Sequence, residues 1–431
     1  MIALKKIPKA IILFLLEKLV QWRLRKINPK IVAITGSVGK TSTKEAIYTV
    51  VSAKKTTHCA KKNYNSDFGT FLAILEQETG YSNPIKWLGI LFNSFLQTWN
   101  LNKANPPYQI LILEMGADKP GDIQYLIKAL RPFIGVFTTI KPVHLAKGQF
   151  TNLESIFQEK SHLVKSVPEN GWAILNCDDP NIIRLEHELT CNLILFGTSP
   201  KADLRAENIR HGKNGLSFTI TYEKQSHDLH FPHLLGRHQV YVLLPAIAVG
   251  FLIGMPLKAI LDALQTFELP PGRLNLIEAI NDSIIIDSSY NASPDTMVSA
   301  LETLNDLQGR KIAVLGSMNE LGDYSKQEHL RIGKFVSKIA TILITIGQDA
   351  RYYADGARSA GMPKENIYCF EAAAEAAQFF KPHLRKNDLI LVKGSQNKIC
   401  LENFIKPLMR YPEKASSLLV RQEDHWTKTA F

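Results

Sequence analysis

A chain of 431 residues is long enough for two or three domains with real cores, and 45% hydrophobic and 21% charged residues exclude a disordered or fibrous polypeptide. Five scattered cysteines (Cys59, Cys177, Cys191, Cys369, Cys400) without a C-x-x-C pair argue against a disulfide framework or a structural zinc site, and fit reduced thiols in a cytoplasmic protein. The formal charge of +11 suits an anionic partner, but residues 1–30 carry eight Lys or Arg against Glu17 alone, so +7 of it is local.

That basic arm comes first in the chain. "AIILFLLEKLVQW" is apolar for about seven residues before Glu17 and Lys18 intervene, well short of the ~20 that span a bilayer. No small-residue cleavage site follows, so it does not read as a signal peptide. Residues 1–28 read as a basic amphipathic helix, either lying on an anionic membrane surface or packed on the protein's own body. The next strand begins only at about Ile31, so the arm is expected to be dispensable for folding.

Beyond it the pattern is α/β. Strands are expected at "IVAIT" (31–35), "QILILEM" (109–115), "IGVFTTI" (134–140) and "WAILN" (172–176), with helices near 41–53, 66–78, 121–130 and 152–166. A strand-rich stretch ("LSFTITYEK", "LHFPHL") and a helical run from 239 to 267 follow. "ELPPGRLN" (268–275) is punctuated like an interdomain joint. A second alternation, "SIIIDSS", "KIAVLGS", "TILITIG" and "DLILVKG", closes the chain. The expected architecture is a central P-loop ATPase domain with a mostly parallel sheet (29–269), followed by a smaller Rossmann-like domain (270–431).

The chemistry is carried by "IVAITGSVGKTSTKEAI" (31–47). Gly36 and Gly39 bracket only Ser37 and Val38, and Lys40, Thr41 and Ser42 follow, so this is a variant of the usual phosphate-binding loop. A strand that hands a glycine turn to a helix N-terminus aims backbone N–H groups and the positive dipole end at one spot. Lys40 suits β- and γ-phosphates, and the Thr41 hydroxyl suits Mg²⁺. Glu114 in "LILEMGAD" and His144 in "TTIKPVHL" follow strands on the side where such folds bind ligands, and are candidates for the metal.

"TGSVGKTS", "NYNSDFG", "LEMGAD", "TTIKPVHL", "LNCDD", "GRHQVY", "PGRLN", "DSSYNASPD", "LGSMNELG" and "LVKGSQNKICLE" occur in the order found in the Mur ligases. The chain resembles that family over some nine-tenths of its length. "EMGA", "YNA.PD" and "ELG" resemble the branch that attaches D-alanyl-D-alanine rather than the folylpolyglutamate synthases.

The resemblance implies an ATP- and Mg²⁺-dependent ligase of cell-wall precursor synthesis, adding D-alanyl-D-alanine to a UDP-N-acetylmuramoyl-tripeptide through an acyl phosphate, with a lipid-linked peptide acceptor as the alternative. It implies no nucleic-acid partner, a monomer, and a cytoplasmic location that extends to the inner face of the membrane. An acceptor of the pseudomurein type and a non-catalytic nucleotide-binding scaffold remain alternatives.

It further implies that Thr41, Glu114, His144 and a carbamylated Lys160 hold metal. Arg273 would meet the γ-phosphate, Asp287 and Asn291 the ribose and adenine end, and Lys393 the acyl phosphate or incoming carboxylate. Four positions depart from the family's habit: Gln239 and Val242 stand where Asn is usual, Ser317 for Asp, and Gln396 for the Arg that would fork a carboxylate. The family also places a UDP-sugar-binding domain before the loop, where this chain has about 30 residues.

Overall fold

The computed structural model describes residues 9–60, 67–81, 83–142, 148–212, 214–319, 321–395 and 399–422. Nine strands form the first sheet: β1 (Lys30–Thr35), β2 (Thr57–Cys59), β3 (Ile110–Glu114), β4 (Ile134–Phe137), β5 (Trp172–Asn176), β6 (Asn192–Gly197), β7 (Leu204–Gly212), β8 (Gly215–Tyr222) and β9 (Gln225–Phe231). Their order is β2-β3-β1-β4-β5-β6-β7-β8-β9. Neighbours are parallel from β2 to β7, and β7, β8 and β9 form an antiparallel meander.

The helices of this half are α1 (Lys9–Ile27), α2 (Lys40–Ser52), α3 (Asp67–Ile74), α4 (Pro84–Trp99), α5 (Asp122–Leu130), α6 (Leu153–Lys165), α7 (Val240–Leu252) and α8 (Leu257–Leu264). They cover both faces of the sheet, which is why its central strands read as continuous apolar runs. Successive β1 residues alternate between two cores: Ile31 and Ala33 join the side covered by α1, α3, α4, α5 and α6, while Val32 and Ile34 join the side covered by α2, α7 and α8.

Three sequence expectations need correction here. The run 239–267 is two helices, broken where Gly254 takes φ 75° and Pro256 precedes α8. The helix expected to reach 78 ends at Ile74. Helix α4, which the pattern did not announce, spans sixteen residues.

From Lys9 onward the arm is a fixed part of the body. Ile12, Leu16, Val20 and Ile27 are buried in the same cluster as Phe71, Trp87 and Leu111. Buried Arg23 pairs with Glu76, and Tyr125 donates to Glu17 Oε2 at 2.8 Å. The expectation that residues 1–28 are dispensable is therefore overturned: removing α1 would uncover part of a core.

The second sheet holds β10 (Asn275–Glu278), β11 (Ile284–Ser288), β12 (Lys311–Gly316), β13 (Ile342–Ile346), β14 (Ile367–Phe370) and β15 (Leu389–Lys393), ordered β10-β11-β15-β12-β13-β14. All neighbours are parallel except β10 and β11. Helices α9 (Pro294–Asn305), α10 (Ser325–Val336) and α11 (Arg351–Ser359) cover one face and α12 (Ala373–Phe380) the other. Between the sheets the chain passes through 268–275, with Leu269 in a core of the first half and Leu274 in a core of the second. The expected class, a larger and mostly parallel α/β half followed by a smaller one, is the one observed.

Candidate active site

In the first sheet β1 connects outward to β2, while β3 crosses over to β4 on the other side of β1. Ligands bind beyond the strand ends at such a reversal, and the glycine loop lies there. Gly36 takes φ 146°, and a Cβ on it would stand 2.0 Å from Thr138 Oγ1, so no other residue fits that turn. Gly39, at φ 86°, caps α2 with no side chain across the first N–H groups, leaving them to a ligand. The loop is braced from β4: Thr138 Oγ1 donates to Val38 O at 2.7 Å, and Ser37 N to Thr139 O at 2.7 Å.

The register of β1 with β3 sets Ile34 beside Glu114. Thr41, one residue into α2, therefore donates to Glu114 Oε2 at 2.8 Å, which joins an alcohol and a carboxylate oxygen suited to a hard divalent cation. From the other half, Arg273 Nη2 donates to Thr41 Oγ1 at 2.9 Å while its guanidinium stacks over Tyr290 at 4.3 Å. Lys40 Nζ turns back onto Gly36 O at 2.9 Å. Burial pushes the Lys40 amine below the ordinary lysine value and Arg273 adds to this, opposed by Glu114 and Asp118.

Lys160, on α6, is fully buried and does not itself line the cleft, and burial together with Lys40 pushes it down to about 7 against the pull of Asp118, Glu114 and Glu159. A lysine in that range is partly neutral and so nucleophilic. Lys393, at the end of β15, donates to Ser288 Oγ at 3.1 Å and Asn291 O at 2.9 Å. Burial, with Arg273, holds it at about 7.

Ser37 to Ser42, Glu114, Arg273, Asn291 and Lys393 thus line one cleft of about 630 Å³ between the halves. Three residues lining it have buried polar atoms with no hydrogen-bond partner among the described residues, Thr43 Oγ1, Gln239 Oε1 and Arg273 Nε, as expected where a polar ligand is to enter. The oxygen pair at Thr41 and Glu114, the cations around it and these orphaned atoms fit a nucleotide triphosphate with its magnesium.

Asp287 does not line the cleft. It is fully buried in β11, its Oδ1 accepts from Ser289 N at 2.9 Å, and burial pushes its carboxyl up to about 6. His144 and Gln396 lie outside the described residues.

Sequence reasoning from residue types missed the acidic pair after β5. Asp179 accepts from Thr139 Oγ1 at 2.8 Å and Ile140 N at 2.7 Å, and so fixes the segment that braces the glycine loop. Asp178 accepts from Thr198 and from Tyr241, whose ring lines the cleft. His238, half-buried beside Ser299 at 3.3 Å, is pushed down to about 4 by desolvation, with Lys393 and His211 adding, and is neutral at pH 7. The sequence signal was "LNCDD", two acids directly after a strand, which alone does not say what they brace.

Comparisons with known proteins agree with this geometry. Residues 34–250 match the Mur ligase middle domain, and residues 272–396 match the Mur ligase glutamate ligase domain. The chain is 28% identical over 401 residues to UDP-N-acetylmuramoyl-tripeptide–D-alanyl-D-alanine ligase of Bacillus subtilis, covering 92% of this chain and 79% of that one. The enzyme of that name from Escherichia coli is 28% identical over 338 residues, covering 77% and 68%. The crystal structure of MurF from Acinetobacter baumannii superposes with a TM-score of 0.76 at 26% identity, over 91% of this chain and 80% of that one. With half of the chain matched by the middle-domain model and the second half by its companion, this protein belongs to the Mur ligase family of ATP-dependent ligases.

Proposed function

We propose that this ligase adds D-alanyl-D-alanine to a UDP-N-acetylmuramoyl-tripeptide, with ATP bound across the cleft by residues 29–269 and covered by residues 270–431. The observation that carries the reading is Thr41 held at once by Glu114 and by Arg273 of the other half. The names of the Bacillus and Escherichia relatives supply the substrates.

Magnesium held by Thr41 and Glu114, with His144 and a carbamate on Lys160 as further oxygen and nitrogen donors, would supply charge neutralisation between the two anionic reactants. The protein's own groups do the rest. Lys40 leaves Gly36 O for the phosphates, and the N–H groups of the first turn of α2 cradle them. Arg273 follows the γ-phosphoryl group as it passes to the acceptor carboxylate, giving an acyl phosphate and ADP.

The incoming dipeptide's amine then attacks the acyl carbon. The C–O bond to phosphate breaks, phosphate leaves, and the proton released by the amine passes to the departing phosphate or to solvent. Lys393, held by Ser288 and Asn291, stands where it can orient the incoming carboxylate or the acyl phosphate. Closure of the halves excludes water that would hydrolyse that intermediate.

The reading includes a monomer in the cytoplasm that touches the inner membrane face through residues 1–28. Mass spectrometry of products formed from ATP, D-alanyl-D-alanine and a panel of UDP-linked and lipid-linked acceptors tests it. Product on the UDP-linked tripeptide supports the reading. Product only on a lipid-linked or pseudomurein-type peptide moves the acceptor, and ATP binding without any product leaves a scaffold.

A further inference from the structure

The outer surface made by α1 and α4 is inverted relative to an ordinary surface helix. On α4 the residues facing the body are Trp87, Ile90, Ser94 and Thr98, and the hydroxyls of Ser94 and Thr98 are buried without a hydrogen-bond partner among the described residues. The solvent side carries Ile85, Leu88, Phe92, Phe95, Leu96 and Trp99, spaced at three and four residues along one stripe. Phe92 is 62% exposed and Trp99 64%, values at odds with a finished soluble surface.

Helix α1 adds a second stripe of the same kind, with Ile11, Phe14 and Leu15 exposed above its buried row. The two stripes join where Trp22 meets Phe95 at 5.4 Å and Trp99 at 6.3 Å.

Exposed lysines and arginines outnumber exposed acids around this face. Residues 79–107 contain no acid, only Lys86 and Lys103, both exposed. Lys9, Lys18 and Arg25 are exposed on α1, while Lys26 lies over Trp22 and donates to Thr98 O and Trp99 O. The nearby acids are engaged: Glu17 by Tyr125 and Gln21, and Glu76 by Arg23. Aromatic side chains at the ends of apolar stripes, bordered by Lys and Arg, are what an anionic lipid surface takes up. No helix among the described residues is long and apolar enough to cross a membrane, so the contact is peripheral.

We infer that the α1–α4 face docks on an anionic phospholipid leaflet, seating Phe14, Phe92, Phe95 and Trp99 among the acyl chains and Lys9, Lys18, Arg25 and Lys86 at the headgroups. This rests on the membrane contact named above and deepens it: the second and larger half of the surface is α4. No residue of α1 or α4 lines the nucleotide cleft, so docking leaves the active site free.

The test is co-sedimentation of the full chain with vesicles of phosphatidylglycerol and phosphatidylcholine, and with phosphatidylcholine alone, over a salt series. The variants are Phe92→Asp with Trp99→Asp, and Lys18→Glu with Arg25→Glu, each checked for folding by its melting curve. The expected result is binding to the anionic vesicles at low salt that falls as salt rises, and partitioning about tenfold or more weaker in each double variant. Phosphate release with soluble substrates should be the same in all three proteins, and a failure of the ligase reading would show there without affecting sedimentation. The inference is overturned by no sedimentation of the folded wild type at low salt, by equal binding to neutral vesicles, or by variants that bind like wild type. It is also overturned if the wild type elutes as a dimer that Phe92→Asp with Trp99→Asp converts to monomer, because a second copy would then cover the face.

Discussion

Arg273 Nη2 and Thr41 Oγ1 stand 2.9 Å apart although 232 residues separate them in the chain. This bond ties the second half to the first turn of the phosphate-binding helix, at the atom that also meets Glu114. A guanidinium at that point takes the place of positive charge beside the carboxylate, and it is poised to turn toward a γ-phosphate.

Arg273→Lys tests whether geometry or charge matters there. The lysine keeps the charge but loses both the fork and the stacking over Tyr290. Turnover should fall about 10- to 100-fold, from a loss of roughly 1.4 to 2.8 kcal/mol in transition-state stabilisation. Steady-state phosphate release checks this, and a variant at wild-type kcat would make the contact merely a latch.

Lys40→Ala should reduce phosphate release by about 100-fold or more, since it removes a cation aimed at developing charge. Its melting temperature should not fall, because burial and Arg273 already disfavour the charge at this position. Glu114→Gln should instead move the Mg²⁺ titration to higher concentration. An unchanged magnesium curve would remove Glu114 from the metal.

The arm gives a stability prediction with an internal control. Leu16 is fully buried in the core under α1, and Phe14 two residues away is 56% exposed. Leu16→Ala should cost about 2–5 kcal/mol of unfolding free energy, whereas Phe14→Ala should be within about 0.5 kcal/mol of wild type. Chemical denaturation separates them. Equal, small effects would mean that α1 is not part of the core.

Much of the site was legible because it depends on strand ends. Gly36, Lys40, Thr41 and Glu114 are fixed by where β1 and β3 stop, and apolar runs show that. Helix α4 was not legible: "PIKWLGILFNSFLQTW" is apolar on two faces, and neither period nor charge marks which one turns inward. Asp179 escaped because its role, bracing Thr139 and Ile140, exists only once β4 and β5 lie side by side. Asp287 was assigned to the nucleotide from the family pattern alone. Its Oδ1 instead accepts from the Ser289 N–H, and the residue does not line the cleft.

That placement makes Asp287 a pH reporter. Its folded carboxyl is pushed up to about 6 by burial, while an unfolded Asp titrates near 3.9. Between those values the folded chain holds more protons than the unfolded one, so this group's contribution is greatest at acid pH and is lost as pH rises through about 6. The full span is about 3 kcal/mol. His238 runs the other way: pushed down to about 4, it contributes stability that is lost as pH falls below about 6.5. The two partly cancel in the wild type, and Asp287→Asn should expose the histidine's slope, with stability rising more steeply from pH 4 to 6.5 than in the parent. The absolute offset of the variant does not matter, only the slope. Thermal melts of both proteins across pH 4 to 8 measure it, and parallel curves would mean that Asp287 is already ionised in the folded chain and faces a partner or solvent.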